Sequence, residues 1–424
     1  MLLQLRSRII QLSLGLGFLG ISGSAATLCV NPGGTGGCSA TIAAAVTAAA
    51  PNDTITVAKG TYHEDVIIAK PLTLLGAGSQ NTTIDATGLP NGINIDGHNH
   101  PGLSHVSVSG LTVQNANFEG ILLTDSSFIT VENNHVTGND KSLSFPGGVP
   151  TCPGLPTYFA AFQGFDCGEG IHLSGVDHSA IANNFVDKNA GGILVSDDTG
   201  SSHDNLISAN TVQNNPFDCG ITIASHIVIF GSQQPLRGIY HNTIVGNTSS
   251  ANGLSTGEGA GIGLFAAAPG AQNWGNVVVG NTSTGNALPG VAMHSHSPLQ
   301  NLNDNLIVGN QISGNGPDGD PGTTVPTGID VFADEAHGAA PITGTVITQN
   351  TFKGEGIDLA VATSGGVTAR FNSFFAPIGV ANLGTGAVDA TLNWWKCSGG
   401  PGANGCSTVN GLGILTSPWL TNPF

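Results

Sequence analysis

The chain has 424 residues, including 63 Gly and 22 Pro, and 40% of its residues are hydrophobic while only 9% are charged. This composition excludes a coiled coil and a charge-rich disordered chain, and it requires a buried core. The 10 Lys and Arg against 27 Asp and Glu give a formal net charge of −17, which excludes nucleic acid as a partner because no surface can neutralise a row of phosphates.

The N-terminal segment is typical of a secretion signal. Arg6 and Arg8 precede an apolar run over residues 9–21, and small residues follow. The apolar run is too short to remain as a membrane anchor. We therefore expect a signal peptide over residues 1–26 and a product that is secreted to the extracellular space or the periplasm without a membrane anchor.

All seven cysteines follow this segment, and they would lie in a compartment where disulfides persist. Their spacing and position predict three pairs: Cys29 with Cys38, Cys152 with Cys167, and Cys397 with Cys406. Cys219 would be left unpaired. An exchange of partners stays open, because Cys167 and Cys219 both stand in the sequence FDCG.

The first predicted element after the signal is a short Ala-rich helix. It covers residues 41–50, TIAAAVTAAA, and ends at Pro51. Short apolar segments typical of strands follow in DTITVAKGTY, DVIIAK, LTLLGAG and TTIDA. A stack of strands needs its first rung covered, and an amphipathic helix can do this.

A repeat dominates the rest of the chain. A Gly followed by a β-branched residue recurs as GINI at 92, GILL at 120, GIHL at 170, GILV at 192, GITI at 220, GIGL at 261, GVAM at 290, GIDV at 328 and GIDL at 356. The shortest interval, from Gly170 to Gly192, is 22 residues. A coil of that length holds three short strands with tight turns, and coils stacked about 4.8 Å apart form a parallel β-helix. We predict an all-β domain of about a dozen coils over residues 27–424.

Pairs of Asn residues separated by five positions accompany the Gly-Ile repeat. They are Asn134 and Asn139, Asn184 and Asn189, Asn210 and Asn215, Asn247 and Asn252, Asn281 and Asn286, and Asn310 and Asn315. Equivalent Asn residues at a bend can bond the backbone and the amide of the next coil. We interpret both series as structural ladders without a role in chemistry.

The residues from Ile42 to Ile84, with NDTI, GTYHEDV and KPLTLLGAG, resemble the opening of the pectin-lyase-like superfamily. In particular they resemble its periplasmic copper-accessory (NosD-type) branch and its carbohydrate-binding and sugar-hydrolase branches. The Gly-Ile and Asn repeats extend the resemblance over nearly the whole chain after residue 26. It implies a right-handed, single-stranded parallel β-helix. No reaction follows from it, because this fold hosts lyases, hydrolases, esterases and epimerases.

In that superfamily the Gly-Ile strand carries the active groove. The first outward position in successive coils is predicted to hold Asn94, Leu122, His172, Leu194, Thr222, Gly263, Ala292, Asp330 and Asp358. Polar groups gather near the end of this row, where His294 and His296 precede Asp330 by one coil and Asp334 follows in the next loop. The Cα atoms of His294 and Asp330 should be roughly 8 Å apart. That separation suits a base and an acid acting on a sugar, or two metal ligands.

Loops beside this face supply four candidate substrate-binding residues. They are Arg237, His241, Phe265 and Trp274. Such side chains stack on sugars or form hydrogen bonds with them.

A second candidate catalytic pair is Glu169 with His172 in GEGIHL. It lies beside an insertion over residues 140–168, which is either a lid over the groove or an elaboration of one turn.

Acidic residues provide the candidate metal ligands. They are Asp318, Asp320, Glu355 and Asp358. Carboxylates of this kind hold Ca²⁺ through oxygen ligands, although turn chemistry explains Asp beside Gly equally well. Copper is less favoured, because the chain has only two Met and few closely spaced His.

Two functions remain open. The first is a monomeric protein that binds, or binds and cleaves as a hydrolase or lyase, a neutral or calcium-bridged polysaccharide on the Gly-Ile strand face. The second is a non-catalytic accessory or structural β-helix of the periplasm or cell surface.

Overall fold

The computed structural model describes residues 25–145, 151–152, 156, 158–159, 167–226 and 237–424. The predicted signal peptide lies outside the described residues except for its last two positions. Much of the predicted insertion at 140–168 lies outside them as well. Within these ranges no helix is both long and apolar enough to cross a membrane.

Three long parallel sheets carry the fold. Sheet 1 has 14 strands, which are Thr27–Val30, Asp53–Val57, Leu72–Gly76, Ser107–Ser109, Thr130–Glu132, Ala180–Ala182, Leu206–Ser208, Thr243–Val245, Val277–Val279, Leu306–Val308, Thr345–Thr348, Val367–Arg370, Val388–Asp389 and Ile414–Leu415. Sheet 2 has 12 strands, which are Gly60–Tyr62, Thr82–Asp85, Thr112–Gln114, His135–Thr137, Phe185–Asp187, Thr211–Gln213, Thr248–Ser250, Thr282–Thr284, Gln311–Ser313, Thr351–Lys353, Ser373–Phe374 and Trp394–Trp395.

Sheet 3 contains the Gly-Ile repeats. Its 12 strands are Val66–Ile68, Asn91–Asp96, Glu119–Thr124, Ile171–Ser174, Ile193–Ser196, Ile221–Ser225, Ile262–Ala266, Val291–Ser295, Thr327–Ala333, Ile357–Ala362, Ile378–Asn382 and Thr408–Asn410. A fourth, small sheet contains Ser202–His203, Ile239–Tyr240 and Asn273–Trp274.

Each coil passes through sheets 1, 2 and 3 in turn, and each strand pairs in parallel with its equivalent in the next coil. Parallel crossovers of this kind are right-handed. The prediction of a right-handed parallel β-helix with about a dozen coils is confirmed.

Stacked apolar columns form the core. In sheet 1, Val131, Ile181 and Ile207 lie in register in successive coils, and all three are fully buried. The flanking residues of these short strands face solvent, as a period of two requires. Sheet 3 differs, because both faces of strands such as Ile221–Ser225 are buried. Loops therefore cover its outer face, and polar side chains on that face are buried beneath them.

The predicted N-terminal helix is confirmed over Ile42–Ala48. The carboxylate of Glu64 accepts hydrogen bonds from the backbone N–H groups of Ile42 and Ala43, both at 2.8 Å, and this satisfies the exposed amides of the first turn. The buried face of the helix packs on the first coil. The helix ends before residue 50 because Pro51 disfavours a helical conformation in the residue before it.

The Asn ladders are confirmed, and beyond the first Asn of each ladder the carbonyl oxygen accepts from the backbone and side-chain N–H of the Asn one coil earlier. Asn247 Oδ1, for example, lies 2.9 Å from Asn210 N and 3.0 Å from Asn210 Nδ2. A third ladder was not predicted, and it runs through Asn205, Asn242, Asn276 and Asn305. The three predicted disulfides are present, and Cys219 is free and buried.

Candidate functional site

A cluster of two imidazoles and three carboxylates lies on the outer side of sheet 3. The Nε2 atom of His294 is 3.1 Å from Asp330 Oδ2 and 3.3 Å from Asp318 Oδ2. Its Nδ1 atom is 3.4 Å from Asp320 Oδ2, which is also 3.6 Å from His296 Nε2. The predicted catalytic pair and half of the predicted metal ligands therefore form one site, which we call the His294 cluster.

The register of sheet 3 brings the strand residues of this cluster together. His294 pairs with Phe332 of the next coil, and Asp330 lies two residues before Phe332, so it faces the same side. The prediction that Asp358 continues the row of Asp330 is wrong, because Asp330 pairs with Ala360. The strand Ile357–Ala362 is displaced by two residues relative to the Gly-Ile repeat, and its apolar side chains still face the core because side chains alternate with a period of two.

The loop before the strand Thr327–Ala333 supplies the other two carboxylates. Thr323 closes this loop, because its Oγ1 atom accepts from the backbone N–H of Asp318 at 2.7 Å and donates to the carbonyl of Asp318 at 2.9 Å. The Oδ1 atom of Asp318 accepts from the backbone N–H of Asp320 at 2.9 Å. These local bonds fix the direction in which both carboxylates point.

The members of the cluster titrate differently. Burial opposes a charge on His294, but the carboxylates of Asp330, Asp318 and Asp320 outweigh it and hold the pKa of His294 well above its usual value. Burial raises the pKa of Asp330 to about 7, although His294 acts in the opposite direction. Burial opposes a charge on Asp318, but the bond and the charge of His294, together with the backbone N–H of Asp320, outweigh it and lower the pKa of Asp318. The bond from His294 likewise lowers the pKa of Asp320.

The cluster runs from the interior to the surface. Asp330, Asp318 and His294 are buried, whereas the side chain of Asp320 is 53% exposed and that of His296 is 34% exposed. Burial and the charge on His294 lower the pKa of His296. One oxygen of Asp330, Oδ1, is buried without a hydrogen-bond partner among the described residues. The buried titratable groups of the cluster are thus separated from solvent by Asp320 and His296.

An open cleft of about 270 Å³ lies beside the exposed end of the cluster. Asp320, Phe332, Asp334 and Glu335 line one part of it, and residues 362–364 and 383–385 line the other. Three of the described lining residues are acidic and none is Lys or Arg. The cleft therefore repels anions and can accept a neutral or cationic group.

Two phenylalanine rings flank the cluster. Phe265 and Phe332 occupy the coils before and after His294, with ring centroids 5.6 and 5.5 Å from its ring, in edge-to-face geometry. Both rings are half-buried. Of the four predicted substrate-binding residues, Phe265 is the one that the structure brings to the cluster.

The other three lie elsewhere. Arg237 donates through Nη1 to the carbonyl of Asp198 at 2.7 Å. Trp274 belongs to the fourth sheet, where its ring stacks on Tyr240 with centroids 5.1 Å apart, and His241 packs edge-on against Trp274.

The second predicted catalytic pair is arranged differently from the prediction. His172 is fully buried, and its ring contacts Glu119 Oε1 through Nδ1 at 3.1 Å and Ser196 Oγ through Nε2 at 2.9 Å. The buried carboxylate of Glu169 faces Gly191 of the next coil. Phe159 covers the imidazole, with centroids 5.4 Å apart. Glu119 was missed, although it precedes a Gly-Ile repeat just as Glu169 does.

The remaining predicted metal ligands have other contacts. Asp358 Oδ2 accepts from the backbone N–H groups of Phe375 and Ala376 at 2.7 and 2.8 Å. Glu355 continues an Asn ladder, because its Oε1 atom accepts from the side chain of Asn315 at 3.2 Å. Calcium binding by these residues stays a prediction.

Residues 46–259 match the model of a family described as periplasmic copper-binding protein (NosD). The chain belongs to the NosD family. No curated protein matches it by sequence.

Solved structures share the fold of this NosD-family chain at low identity. The Dettilon tailspike protein gp208 has a TM-score of 0.55 and 14% identity, and the match covers 86% of this chain. This chain spans 62% of the length of the tailspike chain, which is less than two thirds. DFA-IIIase from Arthrobacter chlorophenolicus A6, without its lid, has a TM-score of 0.53 and 13% identity, and the match covers 87% of this chain and 89% of the DFA-IIIase chain. The A-module of the Azotobacter vinelandii mannuronan C-5 epimerase AlgE6 has a TM-score of 0.51 and 15% identity. This match covers 90% of this chain and 94% of the A-module chain. At these identities the likeness shows the fold alone.

The donors of the His294 cluster fit the copper of the NosD description. Ligand atoms of His294, His296 and Asp320 lie within 4.8 Å of one another, as do those of His294, Asp318 and Asp330. Imidazole and carboxylate donors suit Cu²⁺, and the unpartnered buried oxygen of Asp330 is compatible with a cation. The sulfur of Met293 does not contribute, because this side chain is buried in the main core.

Proposed function

We propose that this chain is secreted to the periplasm or the extracellular space and binds a neutral polysaccharide in the cleft beside Asp320, where it cleaves a glycosidic bond. The observation that carries the proposal is an exposed carboxylate at the cleft that contacts a buried pair of titratable groups. Asp320 is exposed at the cleft and its pKa is lowered, while the pKa values of His294 and Asp330 behind it are raised.

Groups whose surroundings push their pKa values apart are typical of acid and base catalysis. Asp320 would act as the base, because its lowered pKa keeps it ionised at neutral pH. The proton for the leaving oxygen would come from Asp334, which also lines the cleft, and the attacking water would give its proton to Asp320. His294 and Asp330 are positioning residues, because they are buried and act through Asp320.

The charge of the cleft favours a neutral glycan over a uronate. Asp320, Asp334 and Glu335 would repel a carboxylated sugar, and a lyase would need cationic help to stabilise the carbanion that follows proton abstraction. A hydrolase needs no such help. The half-buried ring of Phe332, which lines the cleft, offers apolar contact for a sugar ring.

The test is a panel of neutral glycans and uronates, assayed for new reducing ends and for unsaturated products. We expect a neutral glycan to be hydrolysed and Asp320→Asn to lower the rate at least about a hundredfold, the usual size of a general acid or base contribution. Asp304→Asn is the matched control, because Asp304 is an exposed acid outside the cleft lining. Cleavage that survives in both Asp320→Asn and Asp334→Asn would contradict the proposal.

The second candidate function is a non-catalytic accessory β-helix that holds copper. The NosD family match and the His294, His296 and Asp320 donor set favour it. It predicts no turnover on any glycan. It also predicts Cu²⁺ binding, measured by calorimetry, that His296→Ala weakens and His337→Ala leaves intact, because His337 is an exposed histidine outside this donor set.

A further inference from the structure

A second group of potential metal ligands lies away from the His294 cluster, where the chain turns into sheet 1. Asp177 pairs with His203 of the next coil through a parallel bridge. The following residues, His178 and Asp204, both have left-handed backbone conformations, with φ of 50° and 54°. One coil therefore carries Asp177-His178 at this turn, and the next coil carries His203-Asp204. Each acid has an imidazole beside it both in its own coil and in the neighbouring coil.

Each imidazole is held by a carboxylate through one nitrogen. His178 Nδ1 lies 2.6 Å from Asp177 Oδ1, and His203 Nδ1 lies 2.8 Å from Asp204 Oδ2. Asp177 is fixed in turn, because its Oδ2 atom accepts from Ser127 Oγ at 2.7 Å. The carboxylate of Asp177 orients His178 and raises the basicity of its other ring nitrogen as a metal ligand. His203 Nδ1 and Asp204 Oδ2 are close enough to each other to coordinate one ion together.

Neighbouring rings hold both imidazoles in place. Phe128 lies 5.2 Å from the ring of His178, and Tyr240 stacks on the ring of His203 at 4.7 Å with an interplanar angle of 5°. The two imidazoles contact each other edge to face, with centroids 5.7 Å apart. The rings are thus ordered by packing and need little rearrangement to bind a ligand.

The group is also accessible. The side chains of His178 and Asp204 are 48% and 42% exposed, and that of His203 is 24% exposed. Ligand atoms of the three residues lie within 4.8 Å of one another. We propose that His178, His203 and Asp204 bind a divalent transition-metal ion, such as Zn²⁺ or Cu²⁺, with solvent completing the coordination.

The donor chemistry argues for this class of ion. Imidazole nitrogen suits Zn²⁺ and Cu²⁺, whereas Ca²⁺ requires six to eight oxygen ligands. Zinc sites with three protein ligands are known in which water occupies the fourth position. The site depends neither on glycan binding nor on the His294 cluster.

The test uses residues 27–424 with the substitutions His296→Ala and Asp320→Asn, which remove the exposed donors of the His294 cluster. This double variant is the background chain into which further substitutions are made. Zn²⁺ binding is measured by calorimetry, and Cu²⁺ coordination by electron paramagnetic resonance. We expect one equivalent to bind at the turn with two nitrogen ligands. His178→Ala and His203→Ala should each weaken metal binding at least about tenfold, and the paramagnetic resonance spectrum of each should show one nitrogen ligand instead of two. Asp177→Asn should weaken metal binding about tenfold to a hundredfold, because His178 would lose the carboxylate that orients its ring.

His241→Ala is the matched control, because His241 is exposed and occupies the equivalent turn position in the coil after Asp204. It should leave affinity and spectrum unchanged. Absence of binding in the background chain would overturn the proposal. Equal affinity in His178→Ala, His203→Ala and the background chain would overturn it as well. Circular dichroism of each variant shows whether a loss of binding reflects a loss of fold.

Discussion

Asp330 lies on the strand one coil beyond His294, and its Oδ2 atom is 3.1 Å from the Nε2 atom of that imidazole. Their side chains are almost completely buried. Burying an imidazolium costs free energy unless carboxylates contact it. The contact between His294 and Asp330 likewise provides the buried carboxylate with an opposite charge. The stability of this part of the helix and its acid–base behaviour therefore depend on one contact.

Replacement of His294 by alanine should destabilise the protein. The change leaves the buried carboxylates of Asp330 and Asp318 without their cation, and breaking a buried pair in this way costs about 3–5 kcal/mol. Denaturant unfolding at pH 7 would measure the loss. His337→Ala serves as the control, because its side chain is 80% exposed, and a surface change is expected to stay within about 0.5 kcal/mol. Equal midpoints for the two variants would show that the contact contributes nothing.

Asp358 should make the protein less stable as the pH rises. Burial raises its pKa to about 8, even though backbone N–H groups and Lys396 act in the opposite direction. The folded state then binds more protons than the unfolded state between about pH 4 and pH 8, so the free energy of unfolding falls as the pH rises through this window. Asp358→Asn should flatten the profile of melting temperature against pH over that range.

Asp389 provides the contrasting case for the same measurement. The bond from Arg370 lowers the pKa of Asp389 to about 2. Its contribution is present above about pH 4 and is lost as the pH falls towards 2. Asp389→Asn should therefore leave the slope between pH 5 and pH 8 unchanged. If Asp358→Asn retained the full slope, another buried acid would have to account for it.

The Asn ladders should be sensitive to the loss of a single member. Asn247→Ala would leave the buried backbone N–H of Asn210 without its acceptor and would remove the bonds that the Asn247 side chain makes with the Asn210 side chain and the Ile207 carbonyl. Each buried unsatisfied group costs about 1–3 kcal/mol, so the melting temperature should fall by several degrees. Asn99→Ala is a suitable comparison, because Asn99 belongs to none of the ladders and is partly exposed. A smaller loss for Asn247→Ala than for Asn99→Ala would refute this interpretation.

The repeats were sufficient to predict the fold, because equal periods in the sequence become stacked neighbours in space. The third ladder had the same signal, since Asn205, Asn242 and Asn276 each precede a member of a predicted ladder by five residues. The His294 cluster was only partly predictable. His294 and Asp330 follow from strand register, whereas the positions of Asp318 and Asp320 depend on a loop closed by local hydrogen bonds that have no period.

Glu355 occupies a ladder position where the preceding coils have Asn, and replacing it with Asn should stabilise the protein. Its Oε1 atom accepts from the side chain of Asn315, but its Oε2 atom is buried without a hydrogen-bond partner in the described part of the chain. Burial also raises the pKa of Glu355, which shows that the folded state disfavours its charge. Glu355→Asn would keep the acceptor and remove the buried charge, so we expect a gain of about 1 kcal/mol and a higher melting temperature at pH 8.

The same variant tests the predicted calcium site. If Glu355 and Asp358 bind Ca²⁺, added calcium raises the melting temperature of the parent, because an ion that binds only the folded state stabilises it. The increase would disappear in Glu355→Asn. Glu258→Gln is the control, since Glu258 is exposed in a loop. A calcium effect that persists in Glu355→Asn would assign the ion to other residues, and a parent that does not respond to calcium would leave Glu355 as a ladder residue alone.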